Sequence, residues 1–184
     1  MNGRMNGSKK KDSRASLARR TAAGGAVAAL GLTVMYLGAV LDILDISAAA
    51  FASILLIAVI SEYGRRDALC VFAVTSVLSW LLLPNRMPAL MYTVFLGYYP
   101  IIKPTFDRMK RVVGWGVKLA VLNAAVTAAY FAAHLILTPE ADDTALMWLW
   151  YPLVNIAFVL YDIALGQMTR LWQIRLRRYF GKRK

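Results

Sequence analysis

The sequence predicts an all-α fold, a polytopic integral membrane protein with six transmembrane helices and both termini in the cytoplasm. Hydrophobic residues make up 59% of the 184, yet the chain carries 22 Lys+Arg against 10 Asp+Glu, a net charge of +12. A soluble domain would spread its charges to coat its surface. Here they fall in clumps between apolar stretches, and the clumps alternate in sign along the chain.

Six apolar stretches are the candidate spans: residues 21–40, 46–60, 68–83, 88–102, 112–138 and 146–166. The first, fifth and sixth are long enough to cross roughly 30 Å of hydrocarbon at about 1.5 Å per residue. The second, third and fourth hold about 15 residues each, so they must thin the bilayer, snorkel their ends or be shielded by protein. A re-entrant pair made of the third and fourth is the alternative to six full crossings. Residues 1–20 read as a basic tail expected to be disordered, 21–170 as one membrane domain and 171–184 as a second basic tail. The first stretch follows a charged segment as a signal peptide would, but it lacks an obvious cleavage site and is expected to remain as the first helix.

Charge placement orients the spans. Seven Lys/Arg precede the first span and seven close the chain from Arg170. Arg65 and Arg66 follow the second span, and Lys103, Arg108, Lys110 and Arg111 follow the fourth. The intervening joints hold Asp42, Asp45, Glu140, Asp142 and Asp143, with Arg86 as the sole basic residue. The positive-inside rule therefore places both termini in the cytoplasm, in a bacterial inner membrane. Basic residues that contact nucleic acid form a patch on a folded domain, not marks on alternate helix ends, so nucleic acid is not expected as a partner. The basic tails are expected to attract anionic lipid of the bilayer. Cys70, the only cysteine, excludes an intrachain disulfide and reads as a small buried hydrophobe.

The stretch FLGYYPIIK, residues 95–103, then reads as the cytoplasmic end of the fourth span. Tyr98 and Tyr99 are expected at the headgroup level, with Lys103 snorkelling outward. Pro100 removes a backbone donor and disfavours helix at Tyr99, and Pro104 is expected to stop any continuation. Carbonyls freed near Leu96 and Gly97 either face the interface or line a cavity. The basic segment after them, residues 105–118, reads as a solvated connector or as a short element that lies on the membrane or receives a partner helix.

Polar residues inside the spans are few, which makes each informative. Asn123, Thr127, Tyr130 and His134 share one face of the fifth span, and Tyr151, Asn155, Asp162 and Gly166 share one face of the sixth. A joint as short as PEADD favours packing of these two helices. The ligand-binding candidates are Asn123, Thr127, Tyr130, His134, Tyr151 and Asn155, around a pocket open to the outside and formed by the fourth to sixth spans. Asp162 lies deeper, within side-chain reach of Lys118, and is expected to form an intramembrane ion pair with it or to be protonated. A lone histidine does not make a metal site, so neither a metal nor a cofactor is expected. In the first span, Ala22/Ala26 and Gly25/Ala29 are small-xxx-small pairs that permit close approach by a partner helix. The chain has no phosphate loop, nucleophile elbow, zinc-protease motif or clustered acidic motif, so it is not expected to be an enzyme.

Its length, six helices, cytoplasmic termini, small-xxx-small pairs and outward polar cavity resemble the S components of energy-coupling-factor vitamin transporters. That resemblance implies capture of a micronutrient from outside and docking through the first helix onto a transmembrane coupling subunit with two ATPases. The joint LDILD departs from it, being short where that family often uses a longer loop as a lid. The stretch LLPNRMPALMYTVFLGYYPIIK is also similar to an uncharacterised family of small bacterial membrane proteins. The contrasting expectation is a non-transporting membrane scaffold or regulator whose polar faces close on each other and hold no ligand.

Overall fold

The computed structural model describes the backbone of residues 2–41, 44–137 and 144–180, and the side chains of residues 15–41, 44–132 and 151–174. The described elements are helical: α1 (Asn2–Leu41), α2 (Asp45–Glu62), α3 (Arg65–Leu82), α4 (Met87–Met91), a π-helical segment (Tyr92–Leu96), α5 (Tyr99–Phe106), α6 (Arg111–Leu137) and α7 (Thr144–Phe180). The six stretches are thus six helical units, the fourth interrupted. α1 runs without a break from the basic N-terminal segment into the first apolar stretch, and α7 likewise runs on through the basic C-terminal segment to Phe180.

Among the described residues, four segments are long and apolar enough to cross a membrane: Ala15–Leu41, Asp45–Glu62, Arg111–Ala132 and Tyr151–Ile174. The other two expected spans differ for separate reasons. α3 opens on Arg65, Arg66 and Asp67, which leaves a shorter uncharged run. The fourth is divided into α4, the π segment and α5, and none of these pieces is long enough alone.

Helix polarity alternates along the chain, and residues expected on one side meet there. Asn85 Nδ2 donates to Asp45 Oδ2 at 2.7 Å at one end of the bundle. At the other end, Arg65 donates to Thr105 Oγ1 at 3.2 Å and Arg20 lies 4.0 Å from Asp67.

α1 packs along α2 and α3 through its small residues. A Cβ on Gly38 would lie 2.5 Å from the Ala48 methyl carbon and 3.3 Å from the Leu44 carbonyl oxygen, so only glycine permits this approach. One apolar core joins Ala28 and Met35 of α1, Leu56 and Val59 of α2, Ala68 of α3, and Ala89, Tyr92 and Ile101 of the interrupted unit. A second joins Ile57, Phe95, Tyr99, Leu122, Ala125, Phe158 and Leu165. The interrupted unit contributes to both cores and occupies the centre. Its irregular backbone is covered by protein on both sides, the setting in which a break at membrane depth is tolerated.

The break has identifiable causes. Gly97 N–H reaches back five residues to the Tyr92 carbonyl at 2.8 Å, closing the π turn. A Cβ on Gly97 would fall 2.6 Å from the Phe72 ring, so glycine lets α3 press onto the turn. Pro100 has no N–H to give to Leu96 O, and the Ile101 N–H goes to Tyr98 O instead at 3.0 Å. Pro104 does not end the helix as expected. It lies inside α5, which continues to Phe106, with Asp107 N–H bonded to Lys103 O at 3.0 Å.

Candidate functional site

A ring of alternating charges lies where α5, α6 and α7 converge. Lys103 is one turn beyond Tyr99 on α5, Asp107 follows the end of α5, Lys118 is on α6 and Asp162 on α7. Lys118 Nζ lies 3.1 Å from Asp162 Oδ2 and 2.5 Å from Asp107 Oδ1. Lys103 Nζ contacts Asp162 Oδ1 and lies 3.6 Å from Asp107 Oδ2. Each ammonium therefore touches both carboxylates, and the four formal charges cancel. The Tyr99 hydroxyl donates to Asp162 Oδ1 at 2.5 Å, and Lys118 Nζ sits 5.2 Å from the centre of the Trp115 ring.

Exposure divides the ring unequally. Lys103, Lys118 and Asp162 are only 8%, 5% and 5% exposed, whereas the Asp107 side chain is 47% exposed. Burying an uncompensated charge costs several kcal/mol, so the two lysines are tolerable only because both carboxylates reach them.

The structure brings Lys118 and Asp162 together and adds three partners that sequence reasoning placed elsewhere. Lys103 is buried against Asp162 instead of snorkelling, because the π turn and the break at Pro100 carry α5 into the bundle. Tyr99 is fully buried within the protein for the same reason. The i, i+4 spacings of Tyr99, Lys103 and Asp107 were the available signal; they place all three on one helical face, pointing at whichever helix carries Asp162.

One turn away, the Ser53 and Tyr161 hydroxyls are 2.5 Å apart, and the Tyr161 hydroxyl is 3.3 Å from the Leu96 carbonyl oxygen. This is the carbonyl deprived of its helical donor by Pro100. A side chain of α7 thus answers the helix break, and Phe95, Tyr99, Phe158 and Tyr161 stack around it with ring centroids 5.1 to 5.9 Å apart.

Further along the same two helices, α6 and α7 meet through a polar seam. The Asn123 and Asn155 amides exchange hydrogen bonds, each Nδ2 lying 3.2 Å from the other's Oδ1. Each also donates one turn back, Asn123 to Leu119 O at 2.8 Å and Asn155 to Tyr151 O at 2.7 Å. Thr127 Oγ1 donates to Asn123 O at 2.8 Å, so the Tyr151 hydroxyl, 3.0 Å away, donates to Thr127. Tyr151 is 37% exposed and Tyr130 40%, with the Tyr130 ring edge-on to Phe131 at 5.9 Å. The seam therefore opens from half-buried amides to accessible phenols. The His134 side chain lies outside the described residues.

The partner-helix candidates Ala22, Gly25, Ala26 and Ala29 form an exposed stripe on α1, and a Cβ on Gly25 would meet nothing within 4 Å. The internal contacts of α1 use other small residues, Gly24, Ala28, Gly31 and Gly38, which face α2 and α3. Cys70 is exposed on α3, not buried as expected. Among the described residues no three His, Cys, Asp or Glu side chains gather as a metal site would require. No protein-family model matches the chain, and no curated protein and no solved structure matches it either.

Proposed function

We propose that this chain is a six-helix integral membrane protein of the bacterial inner membrane, with both termini in the cytoplasm, that binds a small polar solute at the outward end of the α6–α7 seam. Four helices of sufficient length and apolar character support the membrane reading. The interrupted unit crosses at the centre of the bundle, where protein replaces lipid around its break. α3 crosses with its charged first turn at the cytoplasmic surface and exposes Leu69, Val74, Val77 and Leu81 to lipid. Large apolar side chains exposed along α1, α6 and α7 face lipid in the same way.

One observation carries the solute reading: hydrogen-bonding side chains from two helices line a single seam that grades from half-buried amides to exposed hydroxyls. A solute bearing an amide or vicinal hydroxyls can exchange with the Asn123–Asn155 pair, while Tyr130 and Tyr151 offer rings to stack on. His134 belongs to the same face by its spacing. Uptake is driven by partner subunits that dock on the exposed Ala22, Gly25, Ala26 and Ala29 stripe, a coupling membrane protein with its ATPases. Native mass spectrometry of the protein, extracted gently from its host, tests this. The wild type retains a small molecule and Asn155→Leu, folded but lacking the amide, does not; equal retention removes Asn155 from the site.

The second reading, a non-transporting scaffold, is favoured by the mutual pairing of the two amides, which leaves both satisfied without a ligand. It predicts an empty wild-type protein and a phenotype from deleting residues 1–16 that exceeds that of Asn155→Leu.

A further inference from the structure

The exposed member of the charge ring points to a second site, about one to two helical turns from the Asn123–Asn155 pair along α6 and α7 and independent of the solute reading. We infer that Lys103 and Lys118 form an anion seat that Asp107 fills as a tethered stand-in, and that a phosphate group can take its place. Two ammonium groups from different helices converge on one carboxylate, each held by a different oxygen: Oδ1 by Lys118 at 2.5 Å and Oδ2 by Lys103 at 3.6 Å. Two oxygens of a phosphate bridge a pair of lysines in the same way. Asp162 does not share this character. It is buried and additionally held by Tyr99, so it is part of the frame.

Asp107 is instead half exposed and lies at the head of the short joint that follows α5 and precedes α6. The same joint presents Arg108 and Lys110, and α6 opens on Arg111, all exposed, so the approach to the seat is cationic. If Asp107 swings away alone, two buried ammoniums share one carboxylate, an imbalance costing several kcal/mol. Exchange with an incoming anion avoids that imbalance. Phosphate binding and release of the Asp107 joint are therefore one event, which lets a cytoplasmic anion loosen the contact between α5 and α6.

A tethered competitor acts at an effective concentration in the millimolar range or above, so free phosphate binds the wild type weakly and binds better once Asp107 no longer competes. The test uses the full chain in detergent, with thermal unfolding followed against added sodium phosphate at constant ionic strength. In the wild type, phosphate raises the midpoint with half-saturation in the millimolar range; Asp107→Asn lowers that concentration about ten-fold or more, and Lys118→Met abolishes the shift. Because Lys118→Met also disturbs a buried ring and can fail to fold, a second readout uses Met109→Cys in a Cys70→Ala background. Phosphate accelerates its modification by a maleimide as the joint is released.

A parallel titration with dihexanoyl phosphatidylglycerol identifies the source of the phosphate. A shift at lower concentration than with inorganic phosphate assigns a lipid headgroup, and the reverse assigns a free cytoplasmic phosphate. No phosphate-dependent shift in either wild type or Asp107→Asn overturns the proposal, as does equal affinity in the two proteins.

Discussion

Replacing Asp162 by asparagine keeps its shape and one acceptor while removing its charge, and the consequences can be worked from the ring. At an effective dielectric constant of about 20, a pair of unit charges 3.1 Å apart attracts by about 5 kcal/mol. Asp162 has two such partners, Lys118 and Lys103. Against their loss stands the cost of having buried Asp162 itself, which the substitution relieves in part. Breaking buried pairs by removing one partner costs about 3–5 kcal/mol net, because the remaining charges stay buried. Asp162→Asn should therefore destabilise the protein by about 3–5 kcal/mol. Asp162→Asn with Lys118→Met restores neutrality and should recover more than half of that loss. Reversible unfolding of the four proteins of this cycle in mixed micelles supplies the coupling energy. A loss below about 1 kcal/mol for Asp162→Asn, typical of an exposed pair, would refute the claim that the ring is a buried and mutually dependent unit.

Other substitutions test the surrounding contacts. Gly38→Ala forces a methyl group to within 2.5 Å of Ala48 and should cost about 1–3 kcal/mol in the same unfolding assay. Gly25→Ala, with open space around it, should be neutral or stabilising by up to about 1 kcal/mol; a clear loss in the isolated protein would contradict the exposed stripe. Tyr161→Phe removes the hydroxyl shared by Ser53 and the Leu96 carbonyl and should cost about 1–3 kcal/mol, measured as a lowered unfolding midpoint. A cycle of Asn123→Ala and Asn155→Ala should give a coupling below about 2 kcal/mol, since amide pairs between membrane helices are modest. A larger value would assign the seam chiefly to stability.

The helical architecture was legible because apolar stretches and charge clumps alternate over the whole chain, a pattern that does not depend on packing. The Asn123, Thr127, Tyr151 and Asn155 seam was legible for a similar reason, since helical spacing fixes a face and a short joint fixes a neighbour. The ring was only half legible. Asp162 and Lys118 stood out as charges within apolar runs, but Lys103 and Tyr99 lie at a span end, where a surface role accounts equally well for a lysine and a tyrosine. Their burial follows from tertiary structure: Phe72 against Gly97 and the π turn at Tyr92–Leu96 steer α5 inward. No local pattern encodes that steering. Composition alone does not say whether the basic N-terminal segment extends a helix, because MNGRMNGSKKKDSR resembles a solvated tail in either case.

Both functional assignments depend on the proposed six crossings, which would put the seam outside and the ring inside. The direct test is cysteine accessibility in intact cells, with single cysteines at Met87, the first residue of α4, and Met109, after α5, in a Cys70→Ala background. Both positions are exposed on the protein. Met87→Cys should react with a membrane-impermeant maleimide from outside, and Met109→Cys only after permeabilisation. Labelling of Met109→Cys in intact cells would contradict the orientation, and failure of Met87→Cys to label from outside would contradict the crossing of α3 and the interrupted unit.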